Sequence, residues 1–386
     1  MSFLILCAAA LRLTLVFRPP DLSEDVWRYL WDGHVARAGF SPWAFAPDDP
    51  AVARIAPTLR ARVVHRDIRT VYPPAAQAAF RTFGGSESPS SLKIFFAAAD
   101  VAVVAMLAGA GLPGGSFAAA LYAFHPLPVT EIAGQGHVDS LGVCLLLASV
   151  LFALRGRRVS SGAAFALSIL TKYVALAACL PLFRRGGWRA AAAAGVLGAA
   201  VWIAAARGGA SPAGGLDQYA TRWEFNSVLY PAAFAGMEAG AIPARAKAAF
   251  LDWKASHGHP PWTSRAFPFF YSAFFARVFL AAALALVWIA VAWRRRDVWA
   301  GVLDSVGALL IFSPTLYPWY AIWILPFAAA RRDAAFLWLA TALPLSYALM
   351  YATPWVPRAL VYGLEYAPFA VLLLLRARGR RDPAAA

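Results

Sequence analysis

The chain has 386 residues, of which 61% are hydrophobic and 14% charged, and it carries a formal net charge of +15. A composition this apolar excludes an ordinary soluble domain and indicates a polytopic, all-α membrane protein. The positive charge does not indicate nucleic-acid binding, because the basic residues sit in short clusters between apolar stretches rather than over one soluble face.

In chain order, apolar stretches near the roughly 20 residues needed to cross a bilayer occupy 92–110, 138–154, 189–206, 267–293, 334–351 and 359–376. Shorter ones at 3–17, 116–132, 297–312 and 319–330 read as tight or tilted spans, giving about ten in all. The first lacks a basic lead and an Ala-x-Ala cleavage site, so a retained span is expected rather than a cleaved signal peptide. Arg155-Gly156-Arg157-Arg158, Arg184-Arg185, Arg294-Arg295-Arg296, Arg331-Arg332 and the tail from Arg376 to Arg381 all belong on the cytoplasmic side under the positive-inside rule. Both termini are then cytoplasmic, in the cytoplasmic membrane. Residues 18–91 and 207–265 become two large outer loops of a single integral membrane domain spanning 1–386, with small outer loops near 133–138, 313–318 and 352–358.

Those clusters also constrain the stretch from Ser160 to Arg185. Both its ends are basic, so it should enter and leave on the same side, which suits two re-entrant half-helices meeting near Thr171-Lys172-Tyr173. Lys172 then sits at the tip, on the outer side. Within the first loop, residues 25–38 form an amphipathic pattern whose Trp27, Tyr29, Leu30 and Trp31 suit a helix lying in the membrane interface. Tyr72-Pro73-Pro74 opens a second short helix that runs to Phe83, too short to span.

Carboxylates are scarce in so apolar a chain, which draws attention to Glu24 and Asp25 as candidate general bases at the mouth of the bundle. Ser23-Glu24-Asp25 is equally a helix start signal, and the two uses are compatible. Arg28, three residues after Asp25, can pair with it or meet a phosphate, and Asp32-Gly33 reads as the close of that turn. Glu131, His137 and Asp139 flank Gly134-Gln135-Gly136 and suit either a cavity or a polar cap of the next span. Lys172 is open to two uses, as a snorkelling side chain or as a cation for a lipid phosphate. Ser313 to Tyr320 reads first as an aromatic belt, and Trp223-Glu224-Phe225-Asn226 as a weaker motif of the second loop. Cys7, Cys144 and Cys179 fall in apolar segments without metal or disulfide spacing, and no carboxylate pattern predicts a metal.

Taken together, Ser23-Glu24-Asp25-x-x-Arg28-Tyr29-x-x-Asp32-Gly33, Gly39-Phe40-Ser41-Pro42-Trp43, Tyr72-Pro73-Pro74, Gly136-His137-Val138-Asp139, Leu170-Thr171-Lys172-Tyr173 and Pro318-Trp319-Tyr320 resemble bacterial polyprenyl-phosphate-mannose-dependent mannosyltransferases of the glycosyltransferase-C superfamily. The chain departs from the pattern at Ser41-Pro42-Trp43, where Asn-Pro-Tyr is common, and in its short first span. The resemblance implies a bundle of about ten transmembrane helices with re-entrant half-helices, and transfer with inversion from a polyprenyl-phosphate sugar. It implies a lipid or glycan acceptor, membrane lipids as surroundings, a site on the outer face, and no cofactor beyond the donor. It also implies Asp25 as base with Glu24 beside it, and Arg28, Tyr29, Tyr72, His137, Asp139, Lys172, Trp319 and Tyr320 as substrate- or phosphate-binding. A transporter or flippase for a lipid-linked sugar is the alternative; ionisable groups gathered at one face favour the enzyme over a midplane site.

Overall fold

The computed structural model describes residues 1–111, 114–295, 297–352 and 354–379; Arg296, Arg380 and Arg381 of the basic clusters lie outside them. Among the described residues the molecule is all-helical, with one isolated parallel bridge between Phe225 and Thr315. Five helices are long and apolar enough to cross a membrane: Ser90–Ala108, Tyr173–Ala206, Ser272–Arg294, Ala334–Tyr351 and Arg358–Arg378. Ser2–Val16, Asp139–Leu154 and Val298–Phe312 are apolar but shorter. About ten continuous spans were expected, and two of the missing ones are broken by proline. The stretch 116–132 divides at His125-Pro126 into Gly115–Ala123, a single turn and a π-helical turn Val129–Gly134. The stretch 319–330 divides at Pro326 into a 3₁₀ segment Pro318–Trp323 and the short helix Leu325–Arg331.

The segment from 158 to 206 breaks at the tip named from sequence. Helix Arg158–Ile169 stops at Leu170, Lys172 is extended (φ −159, ψ 133), a 3₁₀ turn covers Tyr173–Ala178, and Cys179–Ala206 follows with a kink at Gly187. The freed carbonyl of Leu170 does not go unpaired, since the amides of Ala75 and Ala76 donate to it at 2.8 and 3.3 Å. That places the first turn of helix Pro74–Phe83 against the break, and Tyr72 and Lys172 line the same cavity.

Polar anchors fix the rest of the framework. Arg12 and Asp100, both almost fully buried, pair at 2.7 Å, and the Tyr122 hydroxyl donates to the same carboxylate, clamping three apolar helices. Buried Lys93 donates to the carbonyls of Leu15 and Arg18, closing the otherwise unpaired end of helix Ser2–Val16. On the basic side, Asp304 pairs with Arg295 and Arg376, and Arg376 with Asp333, tying the clusters to acidic partners.

Helix Asp25–Arg37 differs from its interfacial expectation. Tyr29, Leu30 and Trp31 are fully buried in protein, not set out as anchors, because helices Pro74–Phe83 and Pro57–Arg62 pack on this helix, with Phe80 stacked on Tyr29 at 4.5 Å; Val52, Leu59, Val63 and Ile68 are buried as well. Only Trp27 keeps partial exposure, with the Arg62 guanidinium 4.4 Å above its ring. Nor does Asp32-Gly33 close the helix, which runs to Arg37. Gly33 is instead where helix Pro74–Phe83 crosses, and a Cβ there would stand 2.4 Å from the Phe80 carbonyl oxygen.

Candidate active site

A cavity of 440 Å³ opens beside the N-terminus of helix Asp25–Arg37, within the size range of small-molecule sites. One part of its wall is polar, with Glu24, Asp25, Arg28, His65, Arg69 and Lys172. Another is apolar, with Val64, Val71, Val174, Leu309, Leu310 and Met350. Aromatic rings of Tyr72, Tyr173, Tyr219, Trp223, Tyr317, Trp319 and Tyr320 join the two.

Asp25 is delivered by its helix start. The Ser23 hydroxyl accepts from the Asp25 amide at 3.3 Å, whereas Glu24, the N-cap residue, makes no side-chain cap, so its carboxylate stays exposed at the rim. The segment ahead of it is held by Gln135, whose side chain accepts from the amides of Asp21 and Leu22 and donates to the Asp21 carboxylate. Tyr72 and Tyr29 donate to Asp25 Oδ2 at 3.3 and 3.4 Å, and His137 Nδ1 lies 3.6 Å from the same oxygen. Among the described residues no partner reaches Oδ1. The side chain keeps 33% of its surface open to the cavity, yet it is surrounded by protein. Burial raises its pKa above the ordinary aspartate value, opposed by the Lys172 charge and aided by Asp139.

Tyr72 is oriented through the Ser41-Pro42-Trp43 turn. Trp43 Nε1 donates to the Tyr72 carbonyl at 3.0 Å, and the Thr70 amide donates to Pro42. Lys172 lies across from Asp25, with its ammonium bound to both oxygens of Asp139 at 2.8 and 3.0 Å and 4.6 Å from the Tyr320 ring centroid. Trp323 Nε1 donates to Asp139 Oδ1 at 2.6 Å, so Asp139, itself fully buried, orients the lysine from behind. An ammonium has three protons, and two directed at Asp139 leave one for the cavity.

Of the residues named from sequence, Glu24, Asp25, Arg28, Tyr72, Lys172, Trp319 and Tyr320 line the cavity. Tyr29, His137 and Asp139 stand fully buried directly behind that wall, touching the residues that do. Arg28 does not pair with Asp25. It bonds Asp32 at 2.8 Å, one helical turn on, and the Ile68 carbonyl at 2.9 Å, and its Nη2 is buried without a partner. Sequence reasoning did not single out Tyr219, His65 or Arg69, and it read Tyr317 only as part of an aromatic belt. Tyr219 hydrogen-bonds the Tyr320 hydroxyl, and its ring lies 5.1 Å from Trp223; the signal for it was the four-residue spacing of Tyr219 and Trp223.

The fold is all-helical among the described residues, with five helices long and apolar enough to cross a membrane, and Asp25 and Lys172 line one cavity in it. Residues 3–184 match the family described as alpha-(1->6)-mannopyranosyltransferase, N-terminal domain (MptA_B family), which supports a mannosyltransferase. The matched part carries Asp25, Tyr72, His137, Asp139 and Lys172, while Trp319 and Tyr320 come from beyond it. No protein of curated function matches the chain significantly.

Proposed function

We propose that the protein moves a mannosyl group from a polyprenyl-phosphate donor to a hydroxyl of a lipid- or glycan-type acceptor, at the outer face of the cytoplasmic membrane. The observation that carries this is Asp25 Oδ1, which has no partner among the described residues, on a carboxylate that Tyr29 and Tyr72 hold by its other oxygen with His137 Nδ1 3.6 Å from it. Asp25 takes the acceptor's proton as the acceptor oxygen forms its bond to the anomeric carbon. The bond from that carbon to the phosphate oxygen breaks on the opposite face, and the electron pair leaves with the phosphate. Lys172 and Arg28 supply positive charge for it. Attack from the far face inverts the anomeric centre, so an alpha-(1->6) product, the linkage in the family's description, calls for a β-linked donor and a primary hydroxyl. The apolar wall at Leu309 and Leu310 suits the first isoprene units.

Radiolabelled mannose transfer from polyprenyl-phosphate-mannose, in membranes holding matched amounts of each variant, tests the reading. Asp25→Asn is expected to lose about 10²–10⁴-fold in rate, the usual worth of a general base. Glu24→Gln is expected to stay within about threefold of wild type, because Glu24 sits at the rim. Equal transfer by wild type and Asp25→Asn would remove Asp25 from the chemistry. Uptake of the intact lipid-linked sugar without transfer would favour a transporter.

A further inference from the structure

His137 and Glu131 form a buried pair behind the catalytic wall that the proposed chemistry does not use directly. Both ring nitrogens of His137 are buried, neither makes a hydrogen bond in this structure, and each lies close to a carboxylate: Nδ1 is 3.6 Å from Asp25 Oδ2 and Nε2 is 3.4 Å from Glu131 Oε2. The ring is clamped by Trp319, stacked on it at 4.2 Å and 17°. Glu131 is 1% exposed, and its other partner is the Tyr347 hydroxyl, 2.9 Å from each of its oxygens. Among the described residues no lysine or arginine pairs with it.

A neutral imidazole has one donor nitrogen and one acceptor nitrogen, and the bond at one fixes the role of the other. Asp25 borders an open cavity, lies near Lys172 and receives two tyrosine hydroxyls, so it can hold a negative charge. Glu131 is closed off from solvent and has no paired lysine or arginine among the described residues, so an ionised carboxylate there would be an uncompensated buried charge. A doubly protonated ring would add a second buried cation close to Lys172.

We infer that Glu131 is a neutral carboxylic acid that donates its proton to His137 Nε2, locking the tautomer whose Nδ1–H points at Asp25. On this assignment His137 and Glu131 are positioning residues, and neither touches substrate. The Nδ1–H bond steadies the ionised form of Asp25 and holds Oδ2 away from the acceptor, leaving Oδ1 for the proton. The charged and titratable groups around the pair are Asp25, Asp139, Lys172, Tyr29, Tyr72 and Tyr347. The kinetic part of this inference rests on the proposed transfer reaction, whereas the tautomer does not.

Two measurements test it. In the first, nitrogen-15 NMR of histidine-labelled protein in lipid nanodiscs reads which ring nitrogen of His137 is protonated, with the signal assigned by its disappearance in His137→Asn. Wild type and Glu131→Gln, whose amide can still donate to Nε2, are expected to show Nδ1–H; Glu131→Leu is expected to lose that preference. An Nε2–H tautomer or a doubly protonated ring in wild type would overturn the inference even if mannose transfer is confirmed. In the second, the pH profile of kcat/KM for mannose transfer is taken for the same variants. Glu131→Leu is expected to move the acidic limb up by about one pH unit, as the ionised Asp25 loses a donor. Glu131→Gln is expected to return it to within a few tenths of a unit of wild type. If Glu131→Gln fails as badly as Glu131→Leu while remaining folded, an ionised Glu131 is required and the assignment is wrong. If wild type transfers no mannose, the donor reading fails, and the NMR result still decides the tautomer.

Discussion

Asp25 and Asp139 belong to one polar cluster, but their surroundings assign them different work. Asp139 is closed off by two bonds from Lys172 and one from Trp323, so its charge is committed to holding the lysine. Asp25 keeps one oxygen toward the cavity, and burial raises its pKa, a shift that makes a carboxylate a better proton acceptor near neutral pH. The same shift bears on stability. Because the folded state binds the Asp25 proton more tightly than the unfolded chain does, stability from this group is fully present below the unfolded pKa and falls as pH rises through the folded value. Asp25→Asn removes that penalty, so it is expected to raise the thermal midpoint in detergent at pH 7 by a degree or more, about the effect of a few tenths of a kcal/mol. The variant's gain should shrink as the pH is lowered toward 4, when wild-type Asp25 is itself protonated. A midpoint lowered at both pH values would mean that the carboxylate is structural. Transfer by wild type should fall on the acidic side, at a pH above the ordinary aspartate range.

The elements that carry these residues meet through close backbone contacts. Helices Asp25–Arg37 and Pro74–Phe83 cross at Gly33, where a side chain has no room against the Phe80 carbonyl. Around that crossing Tyr29 stacks on Phe80 at 4.5 Å and meets Tyr72 edge-on at 4.8 Å, the two hydroxyls that grip Asp25. Gly33→Ala is expected to part the helices and cost about 1–3 kcal/mol as an overpacked contact. Its signature is lowered kcat with a stable, membrane-inserted protein, and a thermal midpoint equal to wild type would show that the crossing yields freely. Much of this level was legible in the sequence. Pro73-Pro74 marks its helix start, and the basic ends of 160–185 placed a break at Thr171-Lys172, where the helix does stop. What misled was the aromatic run Trp27 to Trp31, because a helix that buries its rings against neighbouring helices, as Tyr29 does on Phe80 and Phe96, has the same periodicity as one that lays them in lipid. Helix continuity was also overread where Pro126 and Pro326 interrupt apolar stretches.

At the scale of the whole molecule, the N-terminal part carries the charged chemistry and the remainder closes the cavity around it. Partnerships of this range leave no local trace in sequence: Tyr347 meets Glu131 across 216 positions, and Tyr219 meets Tyr320 across 101. The second loop is held at several points, among them Gly215 on the Thr70 carbonyl, Arg222 on Asp67 and Tyr219 on Tyr320, and most deeply at Phe225 and Asn226. Phe225 pairs with the backbone at Pro314 and Leu316, and Asn226 Nδ2 donates to Glu365 Oε2 at 2.8 Å inside the bundle. The Tyr366 hydroxyl donates to the Asn226 carbonyl at 2.5 Å, so the last long helix holds the segment from two successive residues. Just upstream are Tyr219 and Trp223, which form the cavity wall opposite Asp25's helix. Glu365→Ala is therefore expected to release the segment, raising KM by about tenfold while kcat falls less, since a loss of positioned wall acts mainly on binding. Tryptic cleavage at Arg222 should accelerate in the same variant, because the loop opens more often. Glu365→Gln can still accept from Asn226 and should keep both properties near wild type. Unchanged cleavage at Arg222 in Glu365→Ala would mean that the segment's other contacts, with Thr315, Tyr320, Asp67 and Thr70, hold the wall without Glu365.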